Sequence, residues 1–216
     1  METYKTIISF FQEGGFFMYP IALVMAIGIA VSLERWFFLT HQLRSNRKLW
    51  DEIMPALQGG KFPQAMSMTA KSDVAIGKVL NYGLSRIKTA RRREDIEMAM
   101  EEGLMEITPR LERRTHYLSA FANIATLLGL LGTIIGLIQA FTAVANAAAA
   151  EKAALLSSSI SVAMNTTAFG LIVAIPLLLV YSVLQSKTTQ IVDSMEMATV
   201  KFLNIVTERS NSESKG

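Results

Sequence analysis

The sequence has no cysteine and only two histidines, His41 and His116. Without cysteine there is no disulfide, no thiolate metal site and no thiol nucleophile. Charge is withheld just as sharply. No Asp, Glu, Lys or Arg occurs from Thr115 to Ala150, nor, after Glu151 and Lys152, from Ala153 to Ser186. Gly14–Leu33 is a third such segment. An enzyme working at membrane depth would need a nucleophile with a base, or metal ligands, in these runs. Their cores hold no Cys, His, Asp or Glu, which argues against catalysis there and against a metal or other cofactor. The net charge of +3 is too small to make nucleic acid a partner.

What remains is apolar. Half of the 216 residues are hydrophobic and the mean hydropathy is positive, which suits a polytopic membrane protein with a modest polar part. The two later runs each exceed the ~20 residues needed to cross a bilayer core. The fold class that follows is all-α: three transmembrane helices, the second and third extended into a cytoplasmic helical domain. Orientation follows from the basic residues. Nineteen of the 21 Lys and Arg lie between Glu34 and Tyr117 or from Lys187 onward, leaving only Lys5 and Lys152. By the positive-inside rule those nineteen face the cytoplasm.

The chain then divides as follows. Residues 1–15 form an amphipathic periplasmic start carrying Ile7, Ile8, Phe10 and Phe11. Residues 16–35 are the first span, closed by Glu34, Arg35 and Trp36. A cleaved signal peptide wants a positive leader, and here Glu2 and Glu13 outweigh Lys5, so the span is read as uncleaved. Residues 36–114 are a cytoplasmic helical region. In it Gln58-Gly59-Gly60 ends one helix, Pro63 opens a short helix over Phe62–Ala70, and Val74–Ile87 is another. Arg91-Arg92-Arg93 reads as a solvated, topology-fixing cluster, with anionic lipid as the alternative. Residues 115–144 are the second span, 145–156 a periplasmic loop, 157–186 the third span, and 187–216 a cytoplasmic helix with an unstructured polar tail from Ser210.

Two apolar stripes run out of the membrane. Ile96, Met100, Leu104, Ile107, Leu111 and Leu118 continue without a loop signal into the second span, Pro109 kinking the helix without ending it. Val192, Met195, Thr199, Phe202 and Val206 extend the third. Each stripe needs cover, from the other or from a neighbouring subunit.

The two later spans are not uniformly greasy. Gly129, Gly132 and Gly136 surround Thr133, and Gly132 and Gly136 make a GxxxG pair that permits close backbone approach. In the third span Ser159, Ala163, Thr166 and Gly170 share a face with Thr167 beside them, and Pro176 disturbs the helix further on. Such hydroxyls either bond back to backbone and glue helices together or line a wet path; the residues alone leave both open.

The run Leu128-Gly129-Leu130-Leu131-Gly132-Thr133-Ile134-Ile135-Gly136-Leu137, with Phe141, resembles the second-span signature of the MotA/TolQ/ExbB proton-channel family. Asn165-Thr166-Thr167-Ala168-Phe169-Gly170 through Pro176, with Tyr181, resembles the third-span signature. Three spans point to the ExbB/TolQ branch. The resemblance implies an ion channel or stator subunit of an inner-membrane motor complex that uses the proton-motive force. It further implies a homopentamer around the single-span helices of an ExbD/TolR-like partner supplying an intramembrane Asp, with a TonB/TolA-like protein downstream. The output would be TonB-type outer-membrane transport or envelope work; the alternatives are a sodium-driven or divergent stator paralogue and a non-conducting scaffold. By resemblance Thr133 and Thr167 face the partner's ionisable residue, and the helix face adds Thr166. Close relatives place a glutamate five residues before Thr167, where this chain has Val162.

The topology is directly testable, because the chain has no native cysteine to interfere. A cysteine at Ala148 is expected to react with an impermeant thiol reagent in intact spheroplasts, and one at Ser72 only after the membrane is opened. Labelling of Ser72 in intact spheroplasts would reverse the orientation.

Overall fold

The computed structural model describes the backbone of residues 14–213 and the side chains of residues 14–209. The amphipathic start expected over residues 1–15 thus lies almost wholly outside the described residues, as do the last three residues of the tail. The described residues form six helices and no strand: α1 Met18–Gln58, α2 Phe62–Ala70, α3 Ala75–Arg86, α4 Arg93–Glu112, α5 Thr115–Asn146 and α6 Lys152–Glu213. At about 1.5 Å per residue, the 62 residues of α6 are some three times longer than a ~30 Å hydrocarbon layer. The chain divides into two compact units, one of Met1–Glu34 with Arg114–Ser182 and one of Arg35–Arg113 with Val183–Gly216.

The first unit contains the three charge-poor helical segments. Its α5 buries Leu118, Ala122, Ala125, Gly129, Gly132, Gly136 and Ala140, a strip at three- and four-residue spacing. On α6 the matching strip is Ala163, Thr166, Gly170, Val173, Ala174 and Leu177. Small residues face inward and large apolar ones outward: Leu127, Ile138, Phe141, Ile172 and Leu179 are each about 60% exposed or more. That inversion suits a lipid solvent, where burying leucine offers little and close backbone packing offers more. Candidate spans therefore exist on α1, on α4–α5 and on α6, with only 17–28% of their most apolar windows buried.

The second unit is an ordinary water-type core. Leu39, Ile53, Leu57, Leu80, Met100, Leu184, Ile191, Met195 and Phe202 are essentially fully buried. Gly59 and Gly60 stop α1 as the composition predicts: Gly60 takes φ +71°, and Lys61 donates its amide to Ala56 O, closing the last turn. Pro63 sits in the first turn of α2, where its missing N–H costs nothing. Asp95 accepts the amides of Arg91 and Arg92 and so fixes the entry to α4. Those two bonds hold its carboxyl below the usual range.

Two expectations change, and one open alternative is decided. The helix from Glu94 does not run unbroken into the second span: α4 ends at Glu112, Arg113 is extended and Arg114 adopts φ 69° before α5 begins. Pro109 lies one turn before this break; it has no amide to give the preceding turn, and its own carbonyl takes the Arg113 amide. The apolar stripes are also covered within the chain. Ile96, Met100, Ile107 and Leu111, like Met195 and Phe202, are buried in the second unit's own core, so they make no case for a neighbouring subunit. Finally, α6 remains helical through residues 210–213, where an unstructured tail was expected.

Arg35 is the costliest residue in this unit to place, with only 3% of its surface exposed. Its guanidinium donates to Leu111 O near the end of α4 and lies 4.7 Å from the Phe38 ring centroid. Lys187 likewise donates to Thr40 Oγ1 at 2.7 Å and sits 3.5 Å from the Trp36 ring, and burial pushes its pKa down. Arg35→Leu removes a charged donor from a buried carbonyl and is expected to cost about 1.5–3 kcal/mol. The check is thermal unfolding in detergent; an unchanged midpoint would contradict this role.

Candidate functional site: the glycine and threonine seam between α5 and α6

Glycine on α5 lets α6 approach until backbones touch. A Cβ at Gly129 would lie 3.2 Å from Thr167 Cα and 3.4 Å from Gly170 Cα. A Cβ at Gly170 would lie 2.7 Å from Ala125 O and 3.2 Å from Gly129 Cα. One turn along, Gly132 receives the Thr166 side chain, whose Cβ would be 3.0 Å away, and Gly136 receives Ala163 at 2.9 Å. No residue with a side chain fits the first two positions without moving main chain. Pro176 lies within α6, exposed, and the helix continues through it for 37 further residues.

Close approach puts the hydroxyls to work. Thr167 Oγ1 donates to Gly129 O at 2.8 Å, a bond from one helix to the backbone of the other. In a regular helix that oxygen also receives the amide of the residue four later, Thr133, so the two threonines converge on one carbonyl. The Thr133 hydroxyl itself donates to Leu130 O at 2.6 Å. Both side chains are half-buried at the margin of the seam and retain acceptor capacity after these bonds.

Thr166 is placed differently. It is 2% exposed, its methyl side seats in the notch at Gly132, and its hydroxyl bonds Gly14 O at 2.6 Å and Val162 O at 2.9 Å. Sharing a helix face with Ser159 and Gly170 puts it in the seam, so it ties α6 to the segment before α1 instead of lining a path beside Thr167. Val162 is also engaged: a Cβ on Gly15, which has φ +73°, would lie 3.2 Å from its Cγ1. The sequence reading missed Gly14 and Gly15 as part of the seam, although a glycine pair opening an apolar run is a visible signal of close packing.

The seam has no ionisable group. His116, at the start of α5, is exposed, its ring centroid 6.3 Å from that of Tyr181 with the planes tilted by 51°. The arrangement can therefore hold helices together and offer hydroxyls and carbonyls to a passing or neighbouring charge. It has no residue that could itself take up and release a proton near neutral pH.

Comparison with known proteins bears on this seam. The family model described as the MotA/TolQ/ExbB proton channel family matches residues 71–197, which include both glycine and threonine runs. An ExbB homologue of Methanothermobacter thermautotrophicus, described as a biopolymer transport protein, is 27% identical over 195 residues, covering 90% of this chain and 68% of its own. The ExbB-like 1 protein of Synechocystis, with the same description, is 30% identical over 187 residues, 85% of this chain and 72% of its own. The biopolymer transport protein exbB1 of Vibrio cholerae is 28% identical over 172 residues, 76% and 73% respectively.

The seam predicts a ranking of glycine substitutions. Gly170→Ala pushes a methyl against the Ala125 carbonyl, which cannot yield, and is expected to cost about 1–3 kcal/mol or more. Gly28→Ala meets only the branch end of Leu177, which can turn, and is expected to cost less. Thermal stability of the two purified variants decides it; equal losses would mean that backbone contact is not the limiting feature.

Proposed function

The chain belongs to the MotA/TolQ/ExbB proton channel family, and from that premise we infer that it is the channel-forming subunit of an inner-membrane motor complex driven by protons. Proteins of this family work in complexes with other transport proteins. In the complex inferred here, five copies surround the single-span helices of an ExbD/TolR-like partner. The N-terminus is periplasmic and the C-terminus cytoplasmic, as the placement of 19 of 21 basic residues supports. The work delivered is energisation of outer-membrane transport, through a TonB-like or TolA-like protein, or of a related envelope process.

The observation that carries this reading is a combination. The second and third spans contain no carboxylate, yet their seam ends in two hydroxyls at Thr133 and Thr167 that keep free acceptor capacity. Each elementary charge crossing the membrane releases about 2.3 kcal/mol per 100 mV, and using it requires a site that binds and lets go. Since this chain offers no such site at membrane depth, the carrier is an aspartate on the partner's helix. Its neutral form rests against the apolar exterior of the spans, and its charged form turns towards Thr133 and Thr167. Val162 in place of a glutamate strengthens the argument, because it removes the one carboxylate that close relatives would contribute themselves.

Magnitudes make the test clean. A side-chain hydrogen bond within a membrane protein averages about 0.6 kcal/mol, too little to dismantle the seam. Thr133→Val and Thr167→Val are therefore expected to leave assembly intact while ion-driven uptake falls several-fold. Asparagine in place of the partner's aspartate is expected to abolish uptake. Full activity in the Thr133→Val, Thr167→Val double variant would contradict the hydroxyl role and favour a scaffold.

A further inference from the structure

The second unit holds an arginine-lined cleft that the ion pathway does not use. It encloses about 300 Å³ where the entry to α4 meets the end of α6. Arg91, Arg92, Arg93 and Arg209 line it together with Phe62, Ile96 and Val206. Among the described residues no salt bridge involves any of these four guanidiniums. Asp95, nearby on α4, has its carboxylate turned to the backbone amides of Arg91 and Arg92 at 2.8 and 3.1 Å. That contact fixes the loop through main-chain amides and uses none of the guanidinium donors.

The cleft is also partly set in place before any ligand arrives. Arg209 donates to Gln58 O at 2.8 Å across the Gly59-Gly60 turn, and any Cβ at Gly60 would collide with its guanidinium. Arg93 reaches Asn204 Oδ1 at 3.5 Å. A guanidinium has five donors, so each of these arginines keeps donors to spare after those bonds. Planar forks of this kind suit phosphoryl oxygens better than they suit a single halide.

We propose that this cleft binds a soluble phosphate ester, its phosphoryl group on the arginines and its apolar body against Phe62, Ile96 and Val206. Size supports an ester over a bare ion: about 300 Å³ is at the lower end of small-molecule pockets and roughly ten times the share of one water.

The test uses the full-length protein purified in a neutral detergent, by isothermal titration at constant ionic strength with AMP, phenyl phosphate, adenosine and inorganic phosphate. Saturable binding of the two esters, at one per chain, is expected, with inorganic phosphate at least tenfold weaker and adenosine silent. Arg91→Gln with Arg92→Gln, both exposed side chains, is expected to weaken the esters tenfold or more, whereas Arg110→Gln leaves them unchanged. Should the double variant misfold, the native protein still decides. AMP should protect Arg91, Arg92 and Arg93 from phenylglyoxal, mapped by peptide mass, and leave Arg110 reactive. No saturable ester binding, equal binding by the double variant, or absence of protection would overturn the proposal. So would displacement of AMP by phosphatidylglycerol at equal concentration, which would assign the cleft to lipid.

Discussion

The contact between Gly129 and Gly170 sets the geometry on which the rest of the membrane unit depends. Where two helices cross with backbone against backbone, every side chain near the crossing is held in register. The Thr167 hydroxyl reaches Gly129 O only because α6 can come that close. Thr166 reaches past Gly132 to Gly14 for the same reason. In lipid this packing replaces the hydrophobic effect as the main attraction between helices, since leucine gains little by leaving hydrocarbon for protein. The exterior of large apolar residues is then what a lipid-solvated unit should show.

The second unit follows the opposite rule, with leucine, methionine and phenylalanine inside and, Arg35 apart, charge outside. One chain thus uses two kinds of core, and the change of rule falls at Glu34 and Arg35 on α1, at Arg113 and Arg114 between α4 and α5, and at Ser182 and Val183 on α6. The first two lie at the ends of charge-free runs, and the third falls four residues before such a run ends at Ser186. Arg35 and Lys187 mark this change chemically, each with an aromatic ring beneath its cation and an oxygen at its tip.

Much of this was legible in the residues, and the failures are instructive. Charge-free runs and glycine spacing identify helices and their inward faces because lipid permits few alternatives. Local punctuation at Gly59-Gly60 and Pro63 worked because turn chemistry is short-range. The break at Arg113 and Arg114 was not legible, since neither residue is a usual left-handed or helix-ending type, yet Arg114 adopts φ 69°. Thr166 shows a related limit. Periodicity says which residues share a face, but whether that face meets another helix of the same chain or a partner is decided by contacts distant in sequence. The stripes on α4 and α6 make the same point, being apolar towards their own core.

The central claim is that this chain provides a polar wall and no ion carrier. Reconstitution of the purified chain alone in liposomes, with a pH-sensitive dye inside and an imposed potential, tests it most directly. Near-silence is expected without a partner, followed by proton flux when an ExbD/TolR-like protein with its intramembrane aspartate is co-reconstituted. Full proton conductance by the chain alone would contradict the account.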